Sequence, residues 1–248
     1  MKAIMLAAGV GSRLYGDDGS QPPKSLLKFD GKTLMHRHID ALQAIGIESL
    51  TLVVGYRHDE ILAEALRVSP EGFVRSVYNP RFRNGPVVSL WEARETLMSG
   101  ERILFMDADV LYPVEMLSRL VNAAPENCFL FDEDFEGGDE PVRLCIRDGV
   151  PVEFGKGIEG AFDRVGEWPG FLCLAPDMAA TLVGWLQTYI DRGEIDLAYE
   201  PAMRDMLLSA PPGSFGFEDI TGMPWIEIDF PADLERAKTK ILPAIKRT

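Results

Sequence analysis

"LAAGVGSRLYGDDGSQPPKSLLKF", residues 6–29, decides the fold. Its first residues close an apolar run that begins at Lys2, and glycines, hydroxyls and basic side chains follow, as in a phosphate-binding loop. Neither common template fits. A dinucleotide fingerprint needs a third glycine where Leu14 stands, and a P-loop needs glycine directly before its Lys-Ser pair, where Pro23 precedes Lys24-Ser25. A strand ending in Gly9-Val10-Gly11 still places exposed amides at the carboxyl edge of a sheet, where open α/β folds bind ligands. Gly9 and Gly11 let successive N–H groups converge on an anion. Ser12, Arg13 and Lys24 add a hydroxyl, a guanidinium and a mobile ammonium. The same residues also suit a tight strand-to-helix turn with solvated charges, and that alternative stays open.

Outward from this loop, apolar runs alternate with helical patterns. Strands are expected at 2–8, 50–54, 73–78, 102–106 and 127–131. Between them Met35, Ile39, Leu42 and Ile45 share one helical face, Ile61, Leu62, Ala65 and Leu66 a second. Val87, Leu90, Trp91 and Leu97 mark a third, and Val114, Leu117, Leu120 and Val121 a fourth. Strands separated by single helices imply right-handed crossovers and an α/β, doubly wound, mainly parallel sheet flanked by helices. After Asp132 the rhythm changes. Residues 141–154, "PVRLCIRDGVPVEF", read as a hairpin about Arg147-Asp148-Gly149. A strand at 170–175, helices near 177–192 and 200–208, a strand at 225–228 and a helix from Pro231 follow. One domain over 1–248 is expected, with a first half to about 131 and a second from about 132 to 240. "GDDGSQPP" (16–23) and "FDEDFEGGDE" (131–140) read as surface loops.

The net charge of -14 excludes a duplex nucleic-acid binder, which needs a basic face. It leaves small phosphate ligands open, since they need only a local basic site. Cys128, Cys145 and Cys173 form no C-x-x-C pair and read as reduced, buried thiols. Without a signal-peptide pattern or an apolar stretch of membrane-spanning length, a cytoplasmic protein with no membrane partner is expected.

Two further stretches carry carboxylates at strand ends. In "ILFMDADVLYP" (103–113) a buried run delivers Asp107 and Asp109 to one side, where oxygen ligands suit Mg²⁺. A helix N-cap is the alternative. In "GMPWIEIDFPADLERA" (222–237) a short strand delivers Asp229, with Glu227 on the same face, before a proline-started helix. Trp91 and Trp185 lie on apolar helical faces and read as core, whereas Trp168 and Trp225 adjoin the motifs and read as pocket residues. His36 and His38, two apart on a helix, cannot share a metal. His58 reads as a loop residue.

Taken in order, "LAAGVGSRL", "PKSLLKF", "MDADV", "GEWPGF" and "WIEIDFPADLERA" resemble the nucleotidyltransferase family that includes the sugar-1-phosphate nucleotidyltransferases, from Met1 to about Lys240. Tyr78-Asn79, Asn84 before "VVSLW", "GEWPGF", "AYEPAM" and "WIEID" look most like cytidylyltransferases for phosphocholine and 2-aminoethylphosphonate. The resemblance implies a Rossmann-like nucleotidyltransferase fold with a small lid or hairpin region and Mg²⁺-dependent CMP transfer from CTP. Leu6, Ala7, Ala8, Gly9, Gly11 and Ser12 would line the nucleotide, with Asn84 and Gly85 at base and ribose and Asp107 in support. Arg13 would meet the β- and γ-phosphates, Lys24 the α-phosphate and Lys156 of "FGKG" the acceptor's anion. Asp109 and Asp229 fall on the metal aspartates. Trp168, Tyr199, Glu200, Trp225 and Glu227 would take the acceptor, a phosphorylated or phosphonate amino-alcohol. A sugar- or inositol-phosphate nucleotidyltransferase and a non-catalytic nucleotide sensor are the rival readings, and a homodimer is compatible with all three.

Overall fold

In a computed structural model that describes residues 1–16, 20–135 and 141–246, six of the expected strands and an unforeseen one at Gly216–Asp219 assemble into one mixed sheet. Its seven strands are β1 (Lys2–Ala7), β2 (Ser49–Val54), β3 (Val74–Tyr78), β4 (Ile103–Asp107), β5 (Cys128–Phe131), β6 (Phe171–Leu174) and β7 (Gly216–Asp219), in the order β7-β5-β6-β4-β1-β2-β3. All are parallel except β6, which runs antiparallel to both β4 and β5. The central strands read as unbroken apolar runs because both faces are covered by helices. One face packs on α1 (Leu34–Ala44), α2 (His58–Val68) and α4 (Val114–Asn122), around Met5, Leu52, Met106 and Leu117. The other packs on α3 (Pro86–Glu92), α5 (Pro176–Asp191) and α6 (Glu200–Ser209), around Ile4, Phe105, Phe129 and Leu182. No helix among the described residues is long and apolar enough to cross a membrane. The three cysteines are buried and free.

The hairpin forms as expected from Arg143–Arg147 and Val150–Gly155, with Asp148 (φ 51°) and Gly149 (φ 77°) both left-handed at its turn. A third strand, Arg164–Glu167, joins it to make a small separate sheet. Several expectations are corrected. The helix expected across Val87 to Leu97 breaks at Ala93 into α3 and a turn, Arg94–Leu97. His58 opens α2 rather than lying in a loop. Trp91 and Trp185 are only partly buried, and their N–H groups are tied to Gln187 Oε1 (2.9 Å) and Ser209 Oγ (3.2 Å). The first two residues of "FDEDFEGGDE" are buried, Phe131 at the end of β5 and Asp132 just beyond it. Residues 136–140 of that stretch, and 17–19 of "GDDGSQPP", lie outside the described residues.

Candidate active site

The carboxyl ends of β1 and β4 lie side by side, with Leu6 opposite Asp107, and open onto a cleft of about 1020 Å³. Every residue expected at the site borders this cleft except Gly85. After β1 the chain turns at Gly11, whose φ of 71° is the left-handed conformation that a nest of N–H groups requires at one of its residues. A short helical turn, Ser12–Tyr15, then brings Arg13 back over the cleft.

The two outlying carboxylates are joined by a minimal ladder. Val110–Leu111 pairs antiparallel with Ile226–Glu227, and the Ile228 N–H donates to the Asp109 carbonyl at 3.0 Å. This brings one carboxylate oxygen each of Asp109, Glu227 and Asp229 within 4.8 Å of one another. Lys24 Nζ lies 3.0 Å from Asp109 Oδ2 and 2.6 Å from Asp229 Oδ1, and Arg13 Nη1 lies 2.9 Å from Asp229 Oδ2. Burial works against the Lys24 charge, but the two carboxylates outweigh it and hold the ammonium above its ordinary range. Burial, then the charges of Asp109 and Asp229, push Glu227 well above the carboxylate range. Glu227, expected at the acceptor, therefore belongs with the metal-ligand candidates.

Asp107 is closed off differently. Tyr199 Oη donates to its Oδ2, and Gly170 (φ 89°) passes so close that a Cβ there would lie 2.7 Å from the same oxygen. Burial first, and Asp109 second, raise Asp107 well above its usual value. Tyr199 and Trp168 are 7% and 4% exposed, packed on Phe105 and on each other, and Trp168 Nε1 donates to the Phe171 carbonyl at 2.7 Å. Both form the wall of the cleft more than its contact surface. Trp225 is more open, and its Nε1 donates to Asp132 Oδ2 at 2.6 Å. Glu200 begins α6 with a buried Oε2 that no donor among the described residues reaches, and burial raises its carboxyl. Lys156 borders the cleft, and its charge acts on Glu200 in the opposite sense.

Asn84 borders the cleft and Gly85 does not. The Asn84 amide donates to Asp196 Oδ1 at 2.7 Å. Gly85 N–H donates to the Ile195 carbonyl, and a Cβ at Gly85 would lie 2.0 Å from the Leu197 carbonyl oxygen. Gly85 is thus a close-packing position behind the cleft rather than a base reader. Phe82, Arg83, Asp132 and Glu167 also border the cleft, although none was singled out as a site residue. Asp132 carried a usable signal, since it follows a buried strand just as Asp107 ends one.

The family profile of the MobA-like NTP transferase domain matches residues 3–149. The chain is 29% identical over 244 residues to the bifunctional IPC transferase and DIPP synthase of Rubrobacter xylanophilus, covering 97% of this chain and 52% of that protein. It is 26% identical over 254 residues to the CMP-5'-(3-aminopropyl)phosphonate synthase of Streptomyces rubellomurinus, covering 98% and 39%. It is 25% identical over 255 residues to the CTP:phosphoglutamine cytidylyltransferase of Campylobacter jejuni, covering 95% and 98%. The chain therefore spans about half or less of the first two relatives and nearly all of the third. Among solved structures, the inositol-1-phosphate CTP transferase of T. maritima superposes with a TM-score of 0.77 at 20% identity, over 99% of this chain and 96% of that one. The CTP:phosphocholine cytidylyltransferase of Streptococcus pneumoniae gives 0.75 at 21% identity, over 96% and 97%. At such identities the two structures establish the shared fold.

Proposed function

The chain belongs to the MobA-like NTP transferase domain family and is a nucleotidyltransferase, and on that premise we propose that it transfers CMP from CTP to a small acceptor bearing a phosphate or phosphonate at one end and an ammonium at the other. The observation that carries this reading is the cluster of Asp109, Glu227 and Asp229 against Lys24 and Arg13, at the end of the cleft that β1 and β4 open. Three hard oxygen donors within 4.8 Å of one another suit Mg²⁺. Asp109, Glu227 and Asp229 would hold the metal, which when bound neutralises phosphate charge.

The protein's own part is positioning and charge. The nest at Gly9–Gly11 and the Arg13 guanidinium receive the triphosphate, and Lys24, on its flexible stem, can leave the aspartates for the α-phosphate. Lys156 receives the acceptor's anion. One acceptor oxygen attacks the α-phosphorus in line, a P–O bond forms, and the bond to the β-phosphate breaks with pyrophosphate keeping the electron pair. The acceptor is already an anion, so no general base is required, and orientation and charge neutralisation supply the acceleration.

CTP is supported by the phosphonate synthase, the phosphoglutamine cytidylyltransferase and both structural neighbours, which act with CTP or make a CMP-linked product. An ammonium is supported by Trp225, Asp132, Glu167 and Glu200, an aromatic ring and three carboxyl side chains that all border the cleft. The test is pyrophosphate release from CTP, UTP, GTP and dTTP against phosphocholine, phosphoethanolamine, 2-aminoethylphosphonate, glucose 1-phosphate and inositol phosphate. Turnover with CTP and the amino-alcohol acceptors is expected. Release with the sugar or inositol phosphates alone would move the assignment to that class, and no release with any pair would favour the sensor. Asp109→Asn and Asp229→Asn should each remove most turnover without loss of fold, since a neutral amide is a poor Mg²⁺ ligand.

A further inference from the structure

His38 is not among the residues bordering the cleft, yet it holds the backbone that carries Asp109. It lies on α1, 1% exposed. Its Nε2 is 3.0 Å from the Ala108 carbonyl oxygen and its Nδ1 is 2.9 Å from the Tyr112 hydroxyl. A carbonyl can only accept, so Nε2 carries the proton and Nδ1 accepts from the Tyr112 O–H. Both bonds are made by a neutral ring. Burial keeps it neutral, pushing the imidazole down to about 4 against the Ala108 bond and the Asp109 charge. The two rings stack with centroids 5.4 Å apart, and Tyr112 stands edge-on to Phe171 of β6 at 4.9 Å.

These two contacts straddle Asp109. Ala108 precedes it, Tyr112 follows by three residues, and between them Val110–Leu111 makes the ladder to Ile226–Glu227. One imidazole therefore ties both ends of the segment that aligns Asp109 with Glu227 and Asp229. Without it, the buried Ala108 carbonyl would lack this partner, and an orphaned buried carbonyl relaxes toward any donor it can find.

We propose that His38 is a positioning residue for the carboxylate cluster, clamping the 108–112 segment so that Asp109 meets a divalent cation together with Glu227 and Asp229. The proposal rests on the metal reading above. Partners that orient metal ligands from behind are commonly worth about 10- to 100-fold in metal affinity or activity.

The experiment titrates Mn²⁺ alone into the full chain and its variants, following free Mn²⁺ by electron paramagnetic resonance, with thermal unfolding in parallel. His38→Phe keeps a ring for the stack and loses both hydrogen bonds. It should weaken Mn²⁺ binding by about 10-fold or more and raise the metal needed for half-maximal pyrophosphate release, with acceptor KM little changed. His38→Gln offers an amide N–H and an oxygen at similar reach and should recover most of the affinity. Tyr112→Phe removes one leg and should fall between them, which keeps the test open if His38→Phe does not fold. Wild-type affinity in folded His38→Phe, or in Tyr112→Phe where the former is unfolded, overturns the proposal. An equal loss in His38→Gln and His38→Phe also overturns it, because packing would then be the cause. A wild-type chain that binds no Mn²⁺ sinks the metal reading and this proposal with it.

Discussion

Lys24 bridges Asp109 and Asp229 with one ammonium, at 3.0 and 2.6 Å, and a divalent cation would compete with it for the same two carboxylates. The two cations compete there, so a metal binds more readily when Lys24 swings away, and a triphosphate offers it the alternative partner. Lys24→Met should therefore bind Mn²⁺ more tightly than wild type when no nucleotide is present, yet turn over about 100-fold more slowly or worse. Unchanged or weaker Mn²⁺ binding in this variant would show that the ammonium is no competitor. Glu200 offers a second test, through stability. Its folded-state carboxyl is raised by burial, so its contribution is fully present below the ordinary carboxylate range and is lost as pH rises through the raised value. Glu200→Gln, which cannot titrate, should gain in Tm relative to wild type between pH 4 and neutrality, while losing acceptor affinity. A Tm difference that does not move with pH would rule this out. Residues of this kind were legible where a strand delivered them, as with Asp109 and Asp229. Asp132 was read as loop because acidic neighbours follow it, although burial of Phe131 carries on into it.

Among the elements, local signals were the readable ones. Asp148-Gly149 announces its hairpin because both residues tolerate a left-handed backbone, and Pro231 announces its helix. The ladder that makes the site was not readable. Val110–Leu111 is two residues, too short to show a period, and its pairing with Ile226–Glu227, inside the strand expected at 225–228, is a tertiary event. The antiparallel sense of β6 was equally hidden, since an apolar run does not encode direction. Gly85 shows how a packing position can pass for a motif. Its φ of -65° suits any residue, so its constraint is space: the 195–197 segment lies against it. Gly85→Ala should push that segment off α3 and cost about 1–3 kcal/mol, as overpacked sites do. Gly184, inside α5 with nothing within 4 Å of its missing Cβ, is the control. Gly184→Ala should be neutral or stabilising by up to about 1 kcal/mol, since alanine is the better helix former. Thermal unfolding compares the two, and equal Tm values would mean that the close approach at Gly85 is not a constraint.

On the scale of the whole molecule, the net charge of -14 sets the terms on which an anionic substrate enters. The cleft does not escape that excess. Among the described residues that border it, nine are Asp or Glu and five are Lys or Arg. Burial first, and the neighbouring carboxylates second, raise Asp107 and Glu227 well above the carboxylate range. Arg13, Lys24 and Lys156 are local attractors inside a repelling field, and a nucleotide with its own four negative charges gains from arriving with a cation. Salt separates the two contributions, because the Debye length falls from about 30 Å at 0.01 M to about 10 Å at 0.1 M. In EDTA, CTP binding measured by equilibrium dialysis should be weak and should tighten as salt rises over that range, since screening then relieves repulsion. With Mg²⁺ present the trend should reverse, because what remains to be screened is the attraction of the three basic side chains. If metal-free binding instead weakens with salt as steeply as binding with Mg²⁺ does, the basic side chains outweigh the carboxylates unaided, and the case for a required cation fails.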